Sequence, residues 1–277
     1  MKKNIPVKII VCILLAVLAV FMLFPIYVTF VTAFKTAEES TANFFALPSS
    51  FNLENFRIVV SDRHFMNYII NSVGITVASV SIIAILAPMV SYAIARRMGS
   101  SKYHKFLYVF FLLSIFVPFQ VIMVPLVRLM SSLSLMNQVG MVLLYSVFSL
   151  GQAIFLFVGY YKSIPVELEE AAIIDGCSTV GAFFRIIYPL AKPMTITVVI
   201  LNTLWIWNDF LLPLLILNRA PANWTLPLYQ FNFRSAFTFD FNLAFASFMF
   251  SIVPMMVLYM FLQKHIIEGI TAGAVKS

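Results

Sequence analysis

Charge is scarce in this sequence of 277 residues. Asp, Glu, Lys and Arg make up 10% of it, against about 25% in ordinary soluble domains. With 62% apolar residues and a mean hydropathy of +0.98, too little polar surface exists to cover a globule of this size. A water-soluble fold is thereby excluded. Histidine is also sparse: His64, His104 and His265 are scattered, with no HExxH pair and no cluster of ligands. Cysteine occurs twice, as Cys12 and Cys177, with neither metal-ligand spacing nor a disulfide framework. None of the nine glycines is followed by lysine, so the loop that cradles nucleotide phosphates is missing, and no GxSxG elbow occurs. The net charge of +7 and pI of 9.4 would suit a nucleic-acid partner. No basic run with interleaved aromatics accompanies them, so no nucleic-acid groove is expected.

What is present is apolar sequence in long runs. A helical span needs about 20 mostly apolar residues. Six stretches qualify: 9–33, 67–94, 107–127, 139–160, 193–217 and 241–262. The first exceeds the 7–15-residue core of a signal peptide and reads as a retained span. Pro25, Pro88, Pro118, Pro125, Pro213 and Pro254 are candidate kinks. The expected protein is all-α, with six transmembrane helices in a lipid bilayer.

Lys and Arg are unevenly placed. Segments 1–8, 95–106, 161–192 and 263–277 hold twelve, and segments 34–66, 128–138 and 218–240 hold six, over the same 67 residues. The positive-inside rule puts the first set, with both termini, in the cytoplasm. The outer loops are aromatic, with Trp224, Tyr229, Phe231, Phe233 and Phe237. Two readings are open there: an interfacial belt, or a docking surface for an external partner.

Segment 161–192 is the long charged interruption in the second half. Pro165 and the acids Glu167, Glu169 and Glu170 suit a helix start. Leu168, Ala171, Ala172 and Asp175 share one narrow face. Gly176 is placed to end this helix in a left-handed conformation, and Ser178 to cap a second one. The second helix has the stripe Val180, Phe183, Phe184 and Ile187, and Pro189 is expected to stop it. Four acids and Arg185 argue against a seventh span, since Asp, Lys or Arg costs about 2.5–3.5 kcal/mol at a bilayer centre. An anionic leaflet would also repel the acids. Docking into a groove of a soluble partner remains.

Within the spans, Asp209 is the single carboxylate, flanked by Asn208, Trp205 and Trp207. Such a group is a candidate for function, here lining a path through the bilayer with polar groups beside aromatic faces. It also fits a carboxylate that packs helices or lines a gate, and both readings stay open. Asn71, Gln152 and Asn202 are further candidates; mid-span amides commonly bond between helices.

Glu170-Ala171-Ala172, three residues, Gly176, nine residues, then Ile186 and Tyr188-Pro189 resembles the EAA motif of ABC importer permeases. Tyr188 stands where that family usually has leucine. Trp207-Asn208-Asp209-Phe210 and the terminal run Glu268 to Lys276 resemble the carbohydrate-type, maltose-transporter MalG-like branch. The resemblance implies a MetI-like ABC type I importer fold, with residues 1–66 as first span and outer loop. Residues 67–263 would be the transport core and 264–277 a cytoplasmic tail. It further implies a second permease subunit, two ATPase subunits that carry ATP and Mg, and an extracytoplasmic solute-binding protein. No cofactor is expected on this chain. Glu170, Ala171, Ala172, Asp175, Gly176, Phe183, Phe184 and Pro189 would contact the ATPase. The expected cargo is a carbohydrate. A polyol, glycerol phosphate or acidic oligosaccharide is the alternative, and a stand-alone channel or secondary transporter a remoter one.

Overall fold

The computed structural model describes residues 5–233 and 240–274. Lys2, Lys3, Arg234, Phe237, Val275 and Lys276, which figure in the readings above, lie outside them. All regular structure among the described residues is helical: α1 (Ile5–Ala33), α2 (Ala37–Ala42), α3 (Glu54–Ser61), α4 (Phe65–Arg97), α5 (Lys102–Ile115), α6 (Phe119–Ser132), α7 (Gln138–Tyr161), α8 (Glu167–Ile174), α9 (Thr179–Ala182), α10 (Tyr188–Leu190), α11 (Lys192–Asn208), α12 (Leu211–Leu217), α13 (Leu226–Gln230) and α14 (Phe241–Ala274). A π-helical turn, Phe183–Ile187, joins α9 to α10. By length and composition four of these are candidate spans: α1 from Lys8, α4, α7 and α14 to Phe261. Two bent pairs raise the number to six if each is one span.

The chain forms two compact units, Met1–Met66 with Leu228–Pro254, and Asn67–Pro227 with Met255–Ser277. In the first, α1 displays its apolar side chains outward. The chain leaving α1 is tied by side chains that satisfy its carbonyls. Lys35 is 1% exposed, and its Nζ donates to the carbonyls of Asn43 (2.9 Å) and Phe44 (3.1 Å). Asn242 Nδ2 donates to the carbonyls of Thr32 and Lys35 and to Ser40 Oγ. Thr36 and Glu39 form a capping box on α2. The Ser49 hydroxyl, then the Thr36 and Ser49 backbone N–H groups, hold the Glu39 carboxyl below its usual range. Tyr229 is buried here, donating to the Val59 carbonyl, and is thus spent on packing rather than on an outer surface.

In the second unit two expectations need correction. The stretch 107–127 is not one straight span: α5 and α6 are bent by 101°. Pro118 is the reason. A proline disfavours helical angles at the residue before it, and Pro118 itself sits as the extended N-cap of α6. The stretch 193–217 is likewise two helices. Asp209 is extended (φ −72°, ψ 132°), and its Oδ1 accepts from the Leu211 N–H at 3.1 Å. The restart puts Pro213 in the first turn of α12, where a missing N–H costs no helical bond. Asp209 is therefore the junction residue and not a mid-helix carboxylate.

Close packing of α7 has its own markers. A Cβ on Gly140 would lie 1.9 Å from the Leu135 carbonyl oxygen, a backbone atom of the preceding turn. Gly140→Ala should lower the thermal midpoint of the purified protein, by the equivalent of about 1–3 kcal/mol of overpacking. An unchanged midpoint in a scanning melt would refute the close approach. Farther along, Gly151 lets α7 meet α5 beside Phe111 and Ser114. Ile94, Ile154 and Val158 then form a core with Leu107 and Phe111, which packs α4, α5 and α7 together.

Candidate functional site

The helix–turn–helix expected in segment 161–192 is present, and its turn follows from local chemistry. Gly176 has φ +86°, a left-handed angle that glycine adopts without strain. The Cys177 N–H donates to the Ala172 carbonyl (2.9 Å) and the Gly176 N–H to that of Ile173 (3.0 Å). This is a Schellman close for α8. Ser178 Oγ then accepts from the Gly181 N–H (3.1 Å) and starts α9. Pro189 does not stop the second helix, contrary to expectation. The π-helical turn just before it relaxes the spacing that the proline ring would otherwise crowd, so α10 continues through Pro189. The bend of 70° comes after Leu190 instead.

The faces also differ from the expected ones. Of Leu168, Ala171, Ala172 and Asp175, only Ala172 is buried; the other three face outward. The stripe on the second helix divides in the same way. Phe183 and Ile187 are buried, while Val180 and Phe184 are exposed. Phe183 packs on Tyr92, ring centroids 4.9 Å apart. Val166, Leu168, Ile173, Ile174, Val180 and Phe184 leave an apolar surface around the Gly176 turn, with Ile174 85% exposed. Glu170 is exposed and makes no side-chain bond among the described residues.

Its neighbour Glu169 is the acid that turns inward, 7% exposed. Arg96 Nε donates to Glu169 Oε1 at 2.5 Å, and the Tyr92 hydroxyl to Oε2 at 2.7 Å. The same guanidinium donates through Nη1 to the Tyr161 carbonyl (3.0 Å) and through Nη2 to that of Ile164 (3.2 Å). All three nitrogens are used. A cation so placed satisfies carbonyls at and just beyond the end of α7 and complements its dipole. Sequence reasoning missed this group. It counted Arg96 only toward topology, and no pattern in α8 sets Glu169 apart from its neighbours Glu167 and Glu170.

A cavity of about 760 Å³ lies among α5, α6, α7, α11 and α12. Ser149, Gln152, Trp205 and Asp209 line it together with Phe119, Phe148 and aliphatic side chains. Of the seven residues proposed for a path, Gln152, Trp205 and Asp209 come together here. The other four are engaged elsewhere. Asn71 Nδ2 donates to the Ala222 and Trp224 carbonyls. Asn202 and Asn208 donate within their own helix, to Val198 and Leu204. Trp207 is buried.

Both Asp209 oxygens are occupied. Oδ1 caps α12, and Oδ2 accepts from the Tyr145 hydroxyl at 2.9 Å. Tyr145 in turn meets the Trp205 ring edge to face, centroids 5.4 Å apart. Gln152 is exposed to the cavity, whereas the Ser149 hydroxyl is 2% exposed and lacks a partner among the described residues. The lining thus combines an indole, an exposed amide and an internally bonded carboxylate, with no cationic side chain among the described residues. That set can bond and stack against an uncharged polyhydroxyl molecule.

Residues 84–271 match the family described as binding-protein-dependent transport system inner membrane component. The multiple sugar-binding transport system permease protein MsmG of Streptococcus mutans serotype c is 42% identical over 265 residues, 95% of either chain. The probable starch degradation products transport system permease protein AmyC of Thermoanaerobacterium thermosulfurigenes is 37% identical over 94% of either chain. Among solved structures, a chain of a bacterial ABC transporter involved in the import of the acidic polysaccharide alginate superposes with a TM-score of 0.81 at 23% identity. The match covers 95% of this chain and 98% of that one.

Proposed function

The chain belongs to the family of binding-protein-dependent transport system inner membrane components, and from that premise we propose that it is the permease subunit of an ATP-driven importer of neutral oligosaccharides. Its fold is that of an ABC importer permease, and a permease is a transport component rather than an enzyme. The observation that carries the substrate class is the cavity. Trp205 and Gln152 suit a sugar, and among the described residues no Lys, Arg or His lines it to receive an anion. The names of the relatives MsmG and AmyC point the same way. The alginate importer carries an acidic polymer, and the lining here favours the neutral class.

The chain would form half of a translocation path with a second permease, in a heterodimer, within the cell membrane and with both termini cytoplasmic. ATP and Mg²⁺ would bind two separate ATPase subunits, because this sequence carries no phosphate loop. The apolar surface around Gly176, with the unbonded Glu170, would dock in a groove of the ATPase. An extracytoplasmic binding protein would deliver the solute. ATP-driven closure of the ATPases would then shift the spans between two states.

The test is reconstitution of the permease pair, ATPases and binding protein in proteoliposomes. A neutral oligosaccharide is expected to stimulate ATP hydrolysis and to accumulate inside. Stimulation by acidic oligosaccharides alone would overturn the neutral assignment. Uptake by this chain alone, without ATP, would overturn the importer reading.

A further inference from the structure

We propose that the Arg96–Glu169 pair is a clasp that makes α4, α7 and α8 move as one body, so that displacement of α8 reaches the cavity through α7. The inference rests on the importer reading of the chain. Without the clasp, α8 hangs from α7 by residues 162–166, which lie between the two helices and hold no regular structure. Its backbone hydrogen bonds are all local turns, so none of them ties α8 to α4. The segment's attachments would then be apolar contacts of Ala172, Phe183 and Ile187, with one hydrogen bond from the Tyr160 hydroxyl on α7 to the Leu190 carbonyl. Arg96 removes the slack. One guanidinium grips Glu169 on α8 and the carbonyls of Tyr161 and Ile164 at the end of α7. Tyr92, one turn earlier on α4, holds the second Glu169 oxygen.

The other end of the same rod is the cavity. Ser149 and Gln152 lie 12 and 9 residues before Tyr161 on α7, which is about 14–18 Å along the axis. Tyr145, which holds Asp209, is one turn farther on. A rigid α7 joined to α8 therefore links the docking surface to the Asp209 junction between α11 and α12. At each end the grip is a bonded pair, Arg96 on Glu169 and Tyr145 on Asp209, so either resists partial slippage. Glu169 and Glu170 then have separate tasks. Glu170 faces the partner, and Glu169 is a positioning residue that passes the partner's movement inward.

The experiment uses the full reconstituted complex and reads solute imported per ATP hydrolysed, with membrane level and ATPase copurification measured on the same samples. Glu169→Gln and Arg96→Ala are expected to copurify with the ATPases and hydrolyse ATP, yet to import less solute per ATP. A coupling loss of about 5–150-fold is the usual range for linked sites. Glu169→Gln, which retains a hydrogen-bonding amide, should fall less than Arg96→Ala. A Glu170→Ala complex should instead lose ATPase copurification. An unchanged ratio in both variants overturns the clasp. So does a fall in uptake fully explained by lost protein or lost assembly, because the pair would then be structural only. If the wild-type complex shows no solute-stimulated ATPase, the importer reading fails, and the clasp with it.

Discussion

Gly176→Val is expected to abolish solute uptake, while Gly176→Asn retains most of it. The reasoning is entirely backbone. A Cβ at position 176 meets nothing within 4 Å, so side-chain volume is not the obstacle. The obstacle is φ +86°, which costs an L-residue about 1–2 kcal/mol and a β-branched one more. Asparagine visits this region with little strain. A series at 176 should therefore order as Gly, Asn, Ala, Val, with uptake by valine reduced at least about tenfold, the equivalent of about 1.4 kcal/mol. Relief of the strain reopens the Schellman close, freeing the Ala172 and Ile173 carbonyls and changing the angle between α8 and α9. Val166, Ile174 and Val180 would then no longer present the one surface proposed for docking. Uptake that tracks side-chain volume rather than tolerance of positive φ would show that 176 is a packing contact instead. The measurement is initial uptake rate normalised to membrane level.

The turn at Gly176 was legible in the sequence because local chemistry dictates it: a glycine after an amphipathic turn, then a capping serine. The apolar runs were legible for a similar reason, since solvent preference is a property of each residue. What escaped was everything set by pairing across the fold. The inward face of α8 is decided by Arg96, 73 positions earlier, and no periodicity in ELEEAAII points to it. Pro189 reads as a stop because a proline normally is one, and a π-helical turn ahead of it lies outside that rule. Asn71 was a path candidate, and its amide is found on the carbonyls of Ala222 and Trp224, on the far side of the sequence. Pro118 and Pro213 were readable as kinks. Their depth, a full break rather than a bend in a continuous helix, is not readable from the prolines alone: Pro118 sits in extended backbone with no side-chain cap, and the break before Pro213 is held by the Asp209 carboxylate on the Leu211 N–H.

Asp209 brings these strands together, and its loss should be as damaging as that of Gly176. Asp209→Leu removes the cap on the Leu211 N–H and strands the Tyr145 hydroxyl, which is buried beside Trp205. An unsatisfied buried polar group costs about 1–3 kcal/mol, and the wall of the cavity loses its anchor. Uptake by Asp209→Leu is expected to fall at least about tenfold, on the scale of about 1.4 kcal/mol per decade. Two further variants separate anchoring from direct contact with the sugar. If Asp209 works through Tyr145, Tyr145→Phe reproduces part of the loss. The double variant is then no worse than Asp209→Leu alone, because both single changes break one bond. If the carboxylate bonds the sugar directly, Tyr145→Phe leaves uptake near wild type, and Asp209→Asn changes the ranking among oligosaccharides. The bonding of both Asp209 oxygens within the protein favours the first pattern. Additive losses in the double variant would overturn it and return Asp209 to the substrate.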